Sequence, residues 1–281
     1  CSNSERDFST IFVVEKVKDI ILFEKLGVYK GVYHVLGGLI YYCRYMTSTY
    51  YGTSVYPGAE KNYKEYKIAD SVKEIAPGIF QNTSIESITI PDSVEVIGDE
   101  AFAGCENLTE VVFEDGLTSI GNNTFSCCTS LTEIELPKSV VTIGEGAFED
   151  CKALTKASFP EGLSTIGNKA FSGCESLTEV ILSKNLTAIG DESFFNCKSL
   201  TEVVLPDGLT TIGEAAFSRC YGLENIVWNG SLQKIGARAF ELSNIKSLEG
   251  APLEVIQDAN YSTEENPFVS CRNLIISEEE A

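Results

Sequence analysis

Seven phenylalanines, at positions 102, 125, 148, 171, 194, 217 and 240, follow one another at steps of 23 residues. Each closes the phrase Ile-Gly-x-x-(Ala/Thr/Ser)-Phe, and a weaker copy, "IAPGIF", ends at Phe80. Every unit also holds a second apolar phrase, from "LTEVVF" at Leu108 to "LENIVW" at Leu223. A Pro-x-Gly or Pro-x-Ser turn usually follows it. A fixed period of this length leaves few options. One such unit cannot bury its own apolar edge, so neighbouring units must stack into a continuous core.

In "LTEVVL" the apolar residues fall at the first, fourth and sixth positions. The last three residues alternate, as in a short strand with one face buried. Pro and Gly then turn the chain, and the Ile-Gly phrase returns along the other side. Stacking makes a parallel sheet with strands about 4.8 Å apart. It also makes internal ladders of Leu, Ile, Phe and Cys, in which each buried Phe contributes roughly 2–3 kcal/mol.

The text "CxxLTExxLPxxLTxIGxxAF", repeated between about Ser71 and Leu248, resembles the leucine-rich repeat in its BspA-like form. That resemblance implies a right-handed solenoid of 23-residue coils with a concave parallel β-sheet. Residues 249–281 break the period but echo it at Leu253, Ile256, Phe268 and Cys271. They are read as a degenerate last coil with an acidic tail, either covering the end of the stack or offering a partner a docking end.

Net charge divides the chain. It is -20 overall, but residues 1–67 carry 9 Lys+Arg against 7 Asp+Glu, leaving 12 against 34 beyond. So acidic an array repels phosphate backbones, and nucleic-acid binding by it is not expected. The apolar runs fall far short of the roughly 18 residues a membrane helix needs. No leader and no initiator Met are visible, as expected of a fragment or a processed product.

Six of the ten cysteines (105, 128, 151, 174, 197 and 220) share the 23-residue step. That is no zinc spacing, and the chain has no Cys-x-x-Cys. Stacking brings neighbouring Cys within disulfide range, yet Cys is also a good small buried residue. A ladder of free buried thiols is expected, with Cys127 the exposed one. The single histidine, His34, lies outside the array. With no phosphate loop, paired acids or metal cluster, a non-catalytic protein without cofactors or metals is expected.

Outward strand positions are the usual recognition surface in leucine-rich repeats. One row reads Glu110, Glu133, Lys156, Glu179, Glu202 and Asn225; the other reads Val112, Glu135, Ser158, Ile181, Val204 and Val227. The face can be read as a site for a basic or mixed protein partner, or as a solvated face whose glutamates keep the array soluble. Departures from consensus, Lys156, Ser158, Tyr221, Trp228 and Asn229, are the stronger candidates for specificity. The Asn-x-Ser/Thr triplets at Asn107, Asn122 and Asn185 read as by-products of a Thr-rich repeat.

The opening is different. "STIFVVE" and "GVYHVLGG" have the composition of buried strands, and "KVKDIILFEKLG" has a helical apolar stripe ending at Gly27. Together they form a β-α-β unit with parallel strands. Residues 1–40, through Cys1, Arg6–Asp7, "VVE" at Val13–Glu15 and "YHVLGG" at Tyr33–Gly38, resemble the RecR recombination proteins. The match spans the end of the zinc finger and the start of the Toprim domain. Cys1 corresponds to the last of four zinc cysteines and Glu15 to a Toprim acid; alone, neither is expected to hold a metal. Cys1 has a rival reading as a lipidated N-terminus. The Tyr-rich residues 41–67 read as a linker or an N-terminal cap.

The expected organisation is a RecR-like fragment at 1–40, linker or cap at 41–67, repeats at 68–248 and a terminal coil and tail at 249–281. The favoured function is protein binding of the adhesion type at a bacterial surface, with a host or matrix protein as ligand. The alternative is a cytoplasmic DNA-repair fragment joined, genuinely or by artefact, to a repeat array.

Overall fold

A computed structural model describes residues 68, 70, 72–252 and 266–271, together with the backbone of the strands that precede them. The array is a parallel β-solenoid whose coils are about 23 residues apart. Each coil has three sides. The first is a long strand: β6 (Ser87–Ile90), β8 (Glu110–Phe113), β10 (Glu133–Glu135), β12 (Lys156–Ser158), β14 (Glu179–Ile181), β16 (Glu202–Val204) and β18 (Asn225–Val227). The second is a two-residue strand: β5 (Glu74–Ile75), β7 (Val96–Ile97), β9 (Ser119–Ile120), β11 (Thr142–Ile143), β13 (Thr165–Ile166), β15 (Ala188–Ile189), β17 (Thr211–Ile212) and β19 (Lys234–Ile235). The third is a turn-rich corner around the Phe.

Register follows the period. Glu133 pairs with Lys156 and Lys156 with Glu179; Ile189 pairs with Ile212 and Ile212 with Ile235. The core holds the expected ladders. Phe102, Phe125, Phe148, Phe171, Phe194 and Phe217 are fully buried, and successive rings from Phe80 to Phe240 stack with centroids 4.9–5.6 Å apart. Phe268 continues the stack on Phe240 at 5.4 Å, so the echo in the last residues is a real rung. Leu253 and Ile256 lie outside the described residues.

The corner is itself a ladder. The N–H of Phe148 donates to Ala170 O at 2.8 Å, and the N–H groups two residues on either side, of Gly146 and Asp150, donate to Asn168 O and Ser172 O. Those flanking residues have positive φ, at 60° and 56°. The arrangement recurs along the stack even where the residue is Glu100, Lys169, Ala215 or Leu242. Small polar side chains add rungs: the Thr109 hydroxyl donates to Glu86 O and that of Thr178 to Thr155 O, each 23 residues back.

The six cysteines at the 23-residue step, Cys105 to Cys220, are free and stacked inside. Each thiol reaches a Phe carbonyl of the preceding coil, as with Cys128 Sγ to Phe102 O at 3.3 Å and Cys151 Sγ to Phe125 O at 3.2 Å. Cys271 does the same to Phe240 O at 3.0 Å. Cys127 is exposed, as expected. Burial pushes the thiols of Cys128, Cys151, Cys174 and Cys197 up, and that of Cys105 from 9.0 to about 11.

The opening strands join this sheet. β1 (Thr10–Val14) and β2 (Val32–Gly37) are parallel, as the β-α-β reading requires. β3 (Leu39–Tyr41) returns antiparallel to β2, and β4 (Glu65–Ile68) pairs with both β1 and β6. One sheet therefore runs β3-β2-β1-β4-β6-β8. The helix expected over residues 16–27, with Cys1 and Glu15, lies outside the described residues.

Two measurements test this core. A Cβ on Gly167 would sit 2.7 Å from Gly144 O, so Gly167→Ala must push two coils apart. Urea denaturation should show a loss of about 1–3 kcal/mol from that overpacking, and about 3–5 kcal/mol for Phe148→Ala. The thiols predict a pH dependence. Above about pH 9 the unfolded chain sheds protons that the folded chain retains, so stability is complete below 9 and falls as pH rises through about 11 for Cys105. The urea midpoint should drop between pH 8 and pH 10.5, and less steeply in a Cys105→Ala, Cys151→Ala variant.

Candidate functional site

The alternation of each long strand decides which side chains reach solvent. In β8 Glu110 and Val112 are exposed while Val111 is buried; in β16 Glu202 and Val204 are exposed around buried Val203. The outer face thus carries two rows. The first runs Glu110, Glu133, Lys156, Glu179, Glu202, Asn225, in the order expected. The second runs Val112, Glu135, Ser158, Ile181, Val204, Val227. Lys156 Nζ meets Glu179 at 3.2 Å with both side chains about half exposed. A pair so hydrated is worth only about 0.2–1 kcal/mol.

The second row holds four of the large exposed apolar side chains: Val112, Ile181, Val204 and Val227, at 43–53%. Between β8 and β10 the face opens into a groove of about 640 Å³, lined by Glu110, Val112, Glu133, Glu135, Asp115 and Lys138 among others. There the main-chain ladder is interrupted: the long strands form separate runs ending at β8, spanning β10-β12-β14, and pairing β16 with β18. Asp115 and Lys138 were not anticipated. The one signal is that the β8 coil turns through "EDG", without the Pro found in "LPKS" after β10.

Trp228 does not join either row. Alternation turns it inward, edge-on to Phe240 at 5.7 Å and to Phe268 at 6.2 Å. Its departure from the consensus Leu fills the last described rungs of the core instead. Asn229 is likewise structural: it is buried, and its amide donates to Pro206 O and Leu209 O. Tyr221, 48% exposed, stays on the surface. Two of the three Asn-x-Thr side chains also serve the stack. Asn122 Oδ1 accepts from the Glu145 N–H at 2.8 Å, and Asn185 Nδ2 donates to Glu161 O at 2.9 Å. Among the described residues no group of His, Cys, Asp and Glu is placed to hold a metal. Nor is any helix there long and apolar enough to cross a membrane.

A family model described as the BspA type leucine rich repeat region matches in six copies, over residues 73–198 and 142–275. The chain belongs to this BspA-type leucine-rich repeat family. Two solved structures are similar to the array. One is a leucine rich cell surface protein of Faecalibacterium prausnitzii A2-165, 35% identical with a TM-score of 0.52, covering 55% of this chain and 42% of that one. The other is the leucine-rich repeat protein of T. pallidum, 33% identical with a TM-score of 0.53, covering 54% and 72%. The opening matches elsewhere. The recombination protein RecR of Phytoplasma mali is 52% identical over 44 residues, 16% of this chain and 21% of that protein. That of Lactobacillus delbrueckii subsp. bulgaricus is 58% identical over 40 residues, 14% and 20%. The chain spans about a fifth of the length of these curated relatives.

The BspA-type array contains the chain's single tryptophan, which makes the inward placement of Trp228 measurable. Its emission should be blue-shifted in the folded protein. Phe268→Ala, which uncovers the ring, should shift it to the red and raise acrylamide quenching. Val204→Asp, on the outer face, should leave both unchanged.

Proposed function

We propose that the outer face of the long sheet binds a protein partner, and that this chain is a non-catalytic, adhesion-type repeat protein of a bacterial surface. The observation that carries this reading is the exposure of Val112, Ile181, Val204 and Val227 beside a row of glutamates. Ile181, Val204 and Val227, at nearly half exposure on the consecutive strands β14, β16 and β18, give contact area, and the adjacent acids select the sign of the partner. The fitting ligand is a basic segment with interspersed apolar residues, as on a host or matrix protein. Glu110, Glu133, Lys156, Ser158, Glu179, Glu202 and Asn225 are its contact residues; Trp228, packed inward on Phe240 and Phe268, is not one of them. Membership of the BspA-type family and likeness to a protein described as a cell surface protein support the surface location. The array is the DNA-averse part of the chain, and the short RecR match is the sole support for a repair role.

The test uses two synthetic peptides, one alternating Lys and Val and the other Glu and Val. The Lys–Val peptide should bind and the Glu–Val peptide should not. Reversing Glu110, Glu133, Glu179 and Glu202 to Lys should weaken the first roughly tenfold or more, from the summed loss of exposed pairs, with an unchanged circular dichroism spectrum. Equal binding by both peptides would remove the proposal. Tight, salt-sensitive binding of duplex DNA by the whole chain would favour the repair reading instead.

A further inference from the structure

We propose that the N-terminal edge of the long sheet is a strand-acceptor site, and that the chain's own RecR-like segment occupies it as the end cap of the array. A stack of coils ends in an edge of unpaired N–H and C=O groups and an uncovered core. The edge strand of the first coil is β4. Here β1 lies directly beside it, with Thr10 opposite Glu65, Ile11 opposite Tyr66, Phe12 opposite Lys67 and Val13 opposite Ile68. The pairing is parallel, as between the coils themselves. On its other side β1 carries β2 over four further register positions, Ile11 to Val14 against Val32 to Val35. The sheet then finishes in the three-residue antiparallel strand β3, and a very short edge strand is a poor template for another chain.

Burial in the first coil agrees with a closed end. Ile68, Val72, Ile75 and Phe80 are 0–2% exposed, close to Phe148 in the middle of the stack at 0%. A first coil with nothing over it would leave one side of each in water. Charge also fits: residues 1–67 carry two net positive charges against an array of strongly negative charge. The benefit runs both ways. A pair of parallel strands has no stability alone, because it must be covered and extended. On the array it gains a sheet to complete. This role uses the strands of the RecR-like segment and none of its DNA or metal chemistry, and it is independent of what the outer face binds.

Hydrogen exchange of the 281-residue chain tests the cap. In the wild type the amides of Thr10–Val14 and Glu65–Ile68 should exchange about 100-fold or more slowly than in free peptides, as expected of laddered amides. Phe12→Pro deletes a ladder donor in β1. It should speed exchange at Glu65–Ile68 about tenfold or more and leave Glu202–Val204 within about twofold. Phe12→Val should behave as the wild type. Free exchange of Thr10–Val14 in the wild-type chain would overturn the proposal without any variant, whether the protein is a monomer or pairs that edge with a second copy. So would unchanged protection of Glu65–Ile68 in Phe12→Pro.

Discussion

The main-chain hydrogen bonds between successive coils at the Phe corner are the constraint on which the rest depends. From Phe80 to Phe240 the N–H of each Phe in the 23-residue ladder donates to a carbonyl of the next coil at 2.6–2.8 Å. To aim three alternate N–H groups the same way, the residues two before and two after the Phe adopt positive φ. Among the described residues, thirteen non-glycine residues do so. Each costs of order 1 kcal/mol or more, a total comparable to the whole net stability of a typical domain. An isolated coil has no means of offsetting that. A stacked one does, because twelve of the thirteen deliver their N–H to the next coil and bring a Phe ring into the stack. The strain therefore enforces cooperativity between coils.

The same close approach explains the glycine of the Ile-Gly phrase. Its φ is not positive at any of the seven positions; what matters is space. A Cβ at Gly121, Gly144, Gly190 or Gly213 would fall 2.5–2.8 Å from atoms of the preceding coil. The cysteine obeys a related limit. It is small enough to stack and carries a donor that suits the Phe carbonyl of the coil before, whereas Ala would leave that contact unmade. Leu, Ile, Phe, Gly and Cys therefore recur because each meets the same atoms on every rung.

This is why so much of the fold was legible. Period, strand alternation, core ladders, free thiols and the outward rows all follow from repetition and from the two-residue rhythm of a strand. The positive-φ corner did not, since Glu100, Lys169, Ala215 and Leu242 carry no mark of it; only the Gly and Asn found at equivalent positions hint at it. Trp228 misled for a physical reason. A departure from consensus was read as a surface feature, but alternation places it inward, edge-on to the Phe ladder as Phe113 and Phe159 are in earlier coils. The groove at β8 and β10 was hidden because a break in a ladder depends on how two coils sit, which single-coil text does not encode.

A ladder made of main-chain groups is indifferent to the side chains that flank it. That indifference fixes the inner face by packing and leaves the outer face free to vary, so the acidic and apolar rows can be tuned for a partner without disturbing the coil. It also means that the edge of the sheet accepts any strand of suitable length and direction. β1 and β2 come with the text of a recombination protein, yet in this sheet they satisfy the same N–H and C=O groups that another coil would. Identity over forty residues describes the text of these strands, and the sheet they enter sets the main-chain groups they meet.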